Sequence, residues 1–332
     1  MDLTRTTLLG LIAGVTILLG LPVGRMRSPA PGLRALLNAA AVGVLLFLVW
    51  DVLSAGWEPI DAALTAQHQG TGGFGPAIGY GVLFAGGLTV GLLGLVGYEN
   101  WMGRQVARAR AAAAAAPGGA AGPGPHFGPG AMSTVEVSLR GAGIAGWTTA
   151  ERLALLIAVG IGLHNFAEGL AIGQSAAAGQ IGLATLLVIG FALHNATEGF
   201  GIVAPLAARA DSSTAPAPAP ASGTATGTAG GPVAGTAAAP PSEARPSWGF
   251  LLMLGAIGGG PTVIGTVIGH SVSSEPLAVL FLTLAAGSII YVITQLLFVA
   301  ARSGRRDLVA YGVLIGLLAG FLTDAIVTAA GV

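Results

Sequence analysis

The sequence predicts an all-α membrane protein of eight transmembrane helices, and three observations carry that prediction. Only 8% of the 332 residues are charged while 53% are hydrophobic, against about 25% charged in a soluble domain. The apolar residues fall into eight runs, each long enough to cross ~30 Å of hydrocarbon. The basic residues, all of them arginine, then sort onto one side of those runs. Fifty-five glycines suit close helix packing within a bilayer. With no cysteine in the chain, disulfides, thiolate metal sites and cysteine nucleophiles are excluded.

The eight runs cover roughly residues 6–24, 33–53, 76–98, 149–174, 180–206, 247–270, 277–300 and 308–329. The first is too long for a signal-peptide core and lacks a clear cleavage site, so it counts as a helix. Arg25, Arg27 and Arg34 separate runs one and two. Arg104, Arg108, Arg110, Arg140 and Arg152 lie between three and four or just inside four. Arg209 and Arg245 flank the link from five to six, and Arg302, Arg305 and Arg306 join seven and eight. Only Arg5 is on the other side, so the positive-inside rule places both termini outside. Thr148 and Glu151 have capping-box spacing and mark where the fourth helix begins. Pro205 should loosen the fifth helix, and Gly258-Gly259-Gly260-Pro261 should break or bend the sixth.

Five regions follow from this order. Residues 1–104 hold helices 1–3, 148–209 hold helices 4 and 5, and 247–332 hold helices 6–8. Between them lie two cytoplasmic segments, 105–147 and 210–246, rich in Ala, Gly, Pro, Ser and Thr. Neither can bury enough large apolar surface to fold by itself, so both read as tethers.

One motif occurs twice. Leu163-His164-Asn165-Phe166-Ala167-Glu168-Gly169 returns as Leu193-His194-Asn195-Ala196-Thr197-Glu198-Gly199. In each copy His and Glu are four residues apart and share a helix face. Asn follows the His and adds a neutral oxygen beside that face. No basic side chain lies at mid-span, so two buried carboxylates must take a proton or a cation from solution. A pair that merely glues helices together is the plainer alternative, but duplication of the whole pattern favours one divalent metal held by His164, Asn165, Glu168, His194, Asn195 and Glu198. Two imidazoles and two carboxylates suit Zn²⁺, Fe²⁺, Mn²⁺, Co²⁺ or Cd²⁺, and an all-oxygen Mg²⁺ or Ca²⁺ site would not need histidine. The spacing lacks the adjacent Glu base of a zinc protease, which argues against an enzyme. A metal-dependent intramembrane hydrolase and a metal sensor without flux stay as the alternatives to a transporter. Asp51 and Asp324 lie near outer helix ends, as interfacial carboxylates or as groups that draw cations to an outer entrance.

The duplicated motif resembles the ZIP (Zrt-, Irt-like protein) family of divalent metal transporters, in which Pro usually stands where this chain has Ala167 and Thr197. The helix count, the outside termini and a long loop after helix three are similar too. The resemblance implies helices 1–3 and 6–8 as inverted repeats around helices 4 and 5. It further implies a transport site on the six motif residues, movement of the unit containing helices 4 and 5 against a scaffold, and uptake of Zn²⁺ foremost. Relatives often have an acid before the helix-six Pro, where Gly260 stands, and another at the place of Gln295, a residue that would then border the metal site. Without those acids a single metal is expected. The expected setting is a prokaryotic plasma membrane, with divalent metal ions and the lipid bilayer as partners and no nucleic acid. The oligomeric state is left open between monomer and homodimer.

Overall fold

The computed structural model describes residues 1–25, 31–115, 143–212, 245–272 and 274–329. Among these there is no strand, and eight helices are long and apolar enough to cross a membrane. They are α1 (Leu3–Val15), α2 (Pro31–His68), α3 (Phe74–Ala115), α4 (Thr149–Ala177), α5 (Ile181–Ser212), α6 (Trp248–Ser271), α7 (Glu275–Ala301) and α8 (Arg306–Ala329). The first span is completed by two 3₁₀ turns, Thr16–Leu19 and Leu21–Arg25. Their caps are local and readable. Asp2 accepts the Arg5 amide at 2.8 Å, and Ser247 accepts that of Phe250 at 3.1 Å. Thr148 and Glu151 form the expected capping box, with both reciprocal bonds present.

Several expectations are corrected. The first span changes from α to 3₁₀ at Thr16 instead of running as one α-helix. Helix α2 does not end near residue 53 but continues through Pro59 to His68. Its 38 residues reach about 57 Å, nearly twice the hydrocarbon thickness. Asp51 therefore sits near the middle of α2, not at its end. Helix α3 likewise runs on to Ala115, so residues 105–115 are helical where a tether was expected. Alanine is the strongest helix former, and no proline intervenes before Pro117. Helix α6 passes unbroken through Gly258-Gly259-Gly260-Pro261, since helices packed against it can cover the freed carbonyl. The rest of both low-complexity segments, 116–142 and 213–244, lies outside the described residues.

Helix α4 is the axis of the bundle. Its most apolar stretch is 78% buried, against 17% for α3 and α8. Two packed groups surround the site. In one, α4 packs along α6, α1 crosses α6, and α5 lies against α4 and the end of α1. In the other, α2 pairs with α8 and α7, and α3 with α7. Further contacts join the groups, chiefly between α4 and α7 and between α2 and α5.

Within the first group backbones touch. A Cβ on Gly14 would strike the Gly259 carbonyl, and one on Gly259 would strike that of Gly14. One on Gly20 would stand 2.6 Å from the Gly199 carbonyl carbon. Gly169 and Gly173 leave the same room on α4 for the backbone of α6 at Thr262 and Thr266. Such closeness suits helices whose attraction must come from packing, since lipid is as apolar as their side chains.

Candidate metal centre

Helices α4 and α5 bring the two copies of the motif face to face. His164 is 1% exposed, Glu168 5% and Glu198 1%, so these carboxylates are almost wholly withdrawn from bulk water. His164 Nε2 lies 2.9 Å from Glu168 Oε1. His194 Nε2 approaches the same oxygen from α5. The two imidazole rings stand 6.1 Å apart, centroid to centroid. Ligand atoms of His164, Glu168 and His194 all fall within 4.8 Å of one another, close enough to share one ion.

Around this trio lies an excess of buried atoms without hydrogen-bond partners. They include Glu168 Oε2, both oxygens of Glu198, the Oδ1 atoms of Asn165 and Asn195, and Thr262 Oγ1. Nearly all buried polar atoms in proteins find a partner, so a cluster of orphans asks for a ligand. Most are acceptors only. Among the described residues no arginine pairs with Glu168 or Glu198. Acceptors without donors, beside two imidazoles, make a donor set for a cation of the transition-metal kind.

The six motif residues do not all stand alike. His164, Glu168 and His194 are together, and Glu198 is buried nearby in sequence and fold without belonging to that tight trio. Asn165 and Asn195, both fully buried, use their Nδ2 groups elsewhere. Asn165 donates to Gly258 O of α6 at 2.9 Å, and Asn195 to Ala13 O of α1 at 3.1 Å. Those partners were not visible in the sequence, because neither spacing nor composition links residue 195 to residue 13.

Asp51 feels the fields of Asp324, His164, His194 and Glu168. It lines an open cleft of about 690 Å³ together with Trp57, Glu58, Asp61 and Phe84. Glu58 and Asp61 were missed as candidates. Their seven- and ten-residue distance from Asp51 signals a shared face only once α2 is known to continue past residue 53.

Gln295 is not brought to the centre. Ser288 of α7 donates to Gly160 O of α4 at 3.0 Å, which fixes the register of the two antiparallel helices. Gln295 lies seven residues beyond Ser288 towards the arginine-rich end, whereas Glu168 lies eight beyond Gly160 the other way. Its surroundings are Tyr291, whose hydroxyl donates to Glu99 at 2.6 Å. Gly260 is also displaced from the expected role. An added Cβ there meets nothing within 4 Å, and Ile264, one turn on, is 57% exposed. Among the described residues, the polar side chains that α6 buries are Thr262 and Thr266. Compared with known proteins, the chain matches no family model and no curated protein.

Proposed function

We propose that this chain is a ZIP-like carrier that moves a divalent transition-metal ion, Zn²⁺ foremost, through the site made by the paired turns of α4 and α5. One observation carries the reading. Two helices bearing the same His-Asn-x-x-Glu-Gly pattern juxtapose two imidazoles and a carboxylate within 4.8 Å, with no fixed positive charge to neutralise them. His164, His194 and Glu168 are the central ligands, and Glu198 supplies the second negative charge that a dication needs in a low dielectric. Fe²⁺, Mn²⁺, Co²⁺ and Cd²⁺ suit the same donors.

Asp51 and Asp324 serve the outer side, where their charge, with Glu58 and Asp61, concentrates cations before they reach the histidines. The protein lies in a prokaryotic plasma membrane with both termini outside, and the metal moves inward. Inverted repeats of α1–α3 and α6–α8 are part of the proposal. In support, exchanging α1–α3 with α6–α8 turns the α2–α8 pairing into the α7–α3 pairing and leaves α1–α6 and α2–α7 unchanged. The same grouping gives α4 and α5 a partner set with which to shift against α2, α3, α7 and α8.

The test is metal uptake into proteoliposomes across Zn²⁺, Cd²⁺, Fe²⁺, Mn²⁺ and Co²⁺. Saturable flux of at least one ion is expected. Tight binding with no flux of any of them would replace the carrier by a sensor.

A further inference from the structure

We infer that Asn165 and Asn195 are latches that couple occupancy of the metal centre to the positions of α6 and α1. This rests on the reading of the site as a metal centre and goes beyond it.

The argument begins with the amide itself. A backbone carbonyl can only accept, so the part of each side chain facing Gly258 O or Ala13 O must be the NH₂ group. The bond thereby fixes the orientation of the amide, which otherwise is ambiguous between its two ends. In both residues the opposite end is a buried oxygen with no partner. Each side chain thus has one end committed to a neighbouring helix and, at the other, an oxygen that no protein donor satisfies. Because Asn follows His directly in both motifs, neither can move without its histidine.

The carbonyls being held lie at weak points of their helices. Ala13 is three residues before the change to 3₁₀ geometry at Thr16, and it also accepts from Thr16 Oγ1 at 2.6 Å. Gly258 is three residues before Pro261, whose missing N–H leaves the adjacent Ile257 carbonyl without its usual helical donor. A grip at such a place decides the local path of the backbone more than it would in an intact ladder. The two grips also correspond: α4 holds α6, and α5 holds α1. A cation on Oδ1 draws electron density through the amide and makes its N–H a stronger donor. Binding therefore tightens both latches, and emptying the site slackens them. Aspartate could not do this. It has no N–H, and it would set a carboxylate oxygen against a carbonyl oxygen.

Hydrogen exchange on the intact chain in nanodiscs, with and without Zn²⁺, tests the coupling. Peptides covering 10–20 and 255–265 should exchange at least about threefold more slowly with the metal, as expected for strengthened local hydrogen bonding. Protection confined to α4 and α5 overturns the latch.

Asn195→Asp and Asn165→Asp separate it from simpler roles. The latch predicts Zn²⁺ binding weaker by about tenfold or more, the scale of one charge-assisted hydrogen bond. Protection should then be lost at α1 for the first variant and at α6 for the second. A residue that is only a ligand would bind equally or more tightly as Asp. One that is only structural would lower the melting temperature and leave the dissociation constant unchanged. Either result overturns the proposal. Absence of Zn²⁺ binding by the unmodified chain is a separate outcome that removes the metal reading, and the latch with it.

Discussion

At the scale of single residues, the centre owes its chemistry to what is missing around it. Two glutamates lie within a few per cent of full burial, and among the described residues the partners that Glu168 finds are imidazoles. Replacing Glu168 or Glu198 by Gln keeps the shape and removes one neutralising charge. Uptake should fall to background in either variant, and likewise in His164→Ala or His194→Ala, as measured by isotope flux in proteoliposomes. The same ligands set the pH response. Metal binding needs neutral imidazole and ionised carboxylate, so affinity should decline as pH falls through the ordinary histidine range near ~6.5. Equilibrium dialysis between pH 7.5 and 5 checks this, and a flat profile would exclude imidazole ligation. Stoichiometry is a third measure. Gly260→Glu places its acid beside the exposed Ile264 face, and Gln295→Glu places its acid near Glu99. Neither should raise the metal content above one ion per chain.

At the scale of elements, glycine decides which helices can come together. A methyl at Gly169 would meet the Thr262 carbonyl, while one at Gly86 would meet nothing. Gly169→Ala should therefore cost about 1–3 kcal/mol as overpacking. Gly86→Ala should be neutral or slightly stabilising, since alanine is the better helix former. Thermal melts of the two variants in the same detergent compare them directly. These contacts also explain what could be read beforehand. The spans α4, α6, α7 and α8 were legible within a few residues because apolar runs, a capping box and flanking arginines are local signals, whereas α5 runs on past its expected end at 206 to Ser212. So was the His-Glu face, which needs only a spacing of four. The change to 3₁₀ geometry after Val15 was not, because it lies where Gly20 meets Gly199 across 179 residues of chain. Nor was the length of α2 and α3, since hydropathy marks where a helix leaves apolar surroundings and not where it stops.

At the scale of the whole molecule, charge is divided between the two ends of the bundle. The end where α2 turns into α3 has Asp2, Asp51, Glu58, Asp61, Glu275 and Asp324 against the single Arg5. Among the described residues the other end holds Arg25, Arg34, Arg104, Arg108, Arg110, Arg152, Arg245, Arg302, Arg305 and Arg306 against Glu99, Glu151 and Asp307. A cation meets a favourable potential at the first end and an unfavourable one at the second, which supports entry from the acidic side. The asymmetry was countable in the sequence, but its focus was not. Only the continuation of α2 past Asp51 places Glu58 and Asp61 along the cleft that Asp51 lines.

The uncompensated glutamate pair has an electrical consequence. On the proposed carrier reading, the site with a dication bound carries no net charge and would cross the transmembrane voltage without work. Empty and with both carboxylates ionised, it carries two negative charges, each worth about 2.3 kcal/mol per 100 mV. In the proposed carrier a potential negative inside would push the vacant site outward, so voltage would drive the return stroke and not the loaded one. Zn²⁺ uptake into proteoliposomes should accelerate when a potassium diffusion potential makes the lumen negative, and most strongly at saturating metal, where resetting limits the cycle. Acceleration restricted to low metal concentration would place the voltage dependence on ion entry instead.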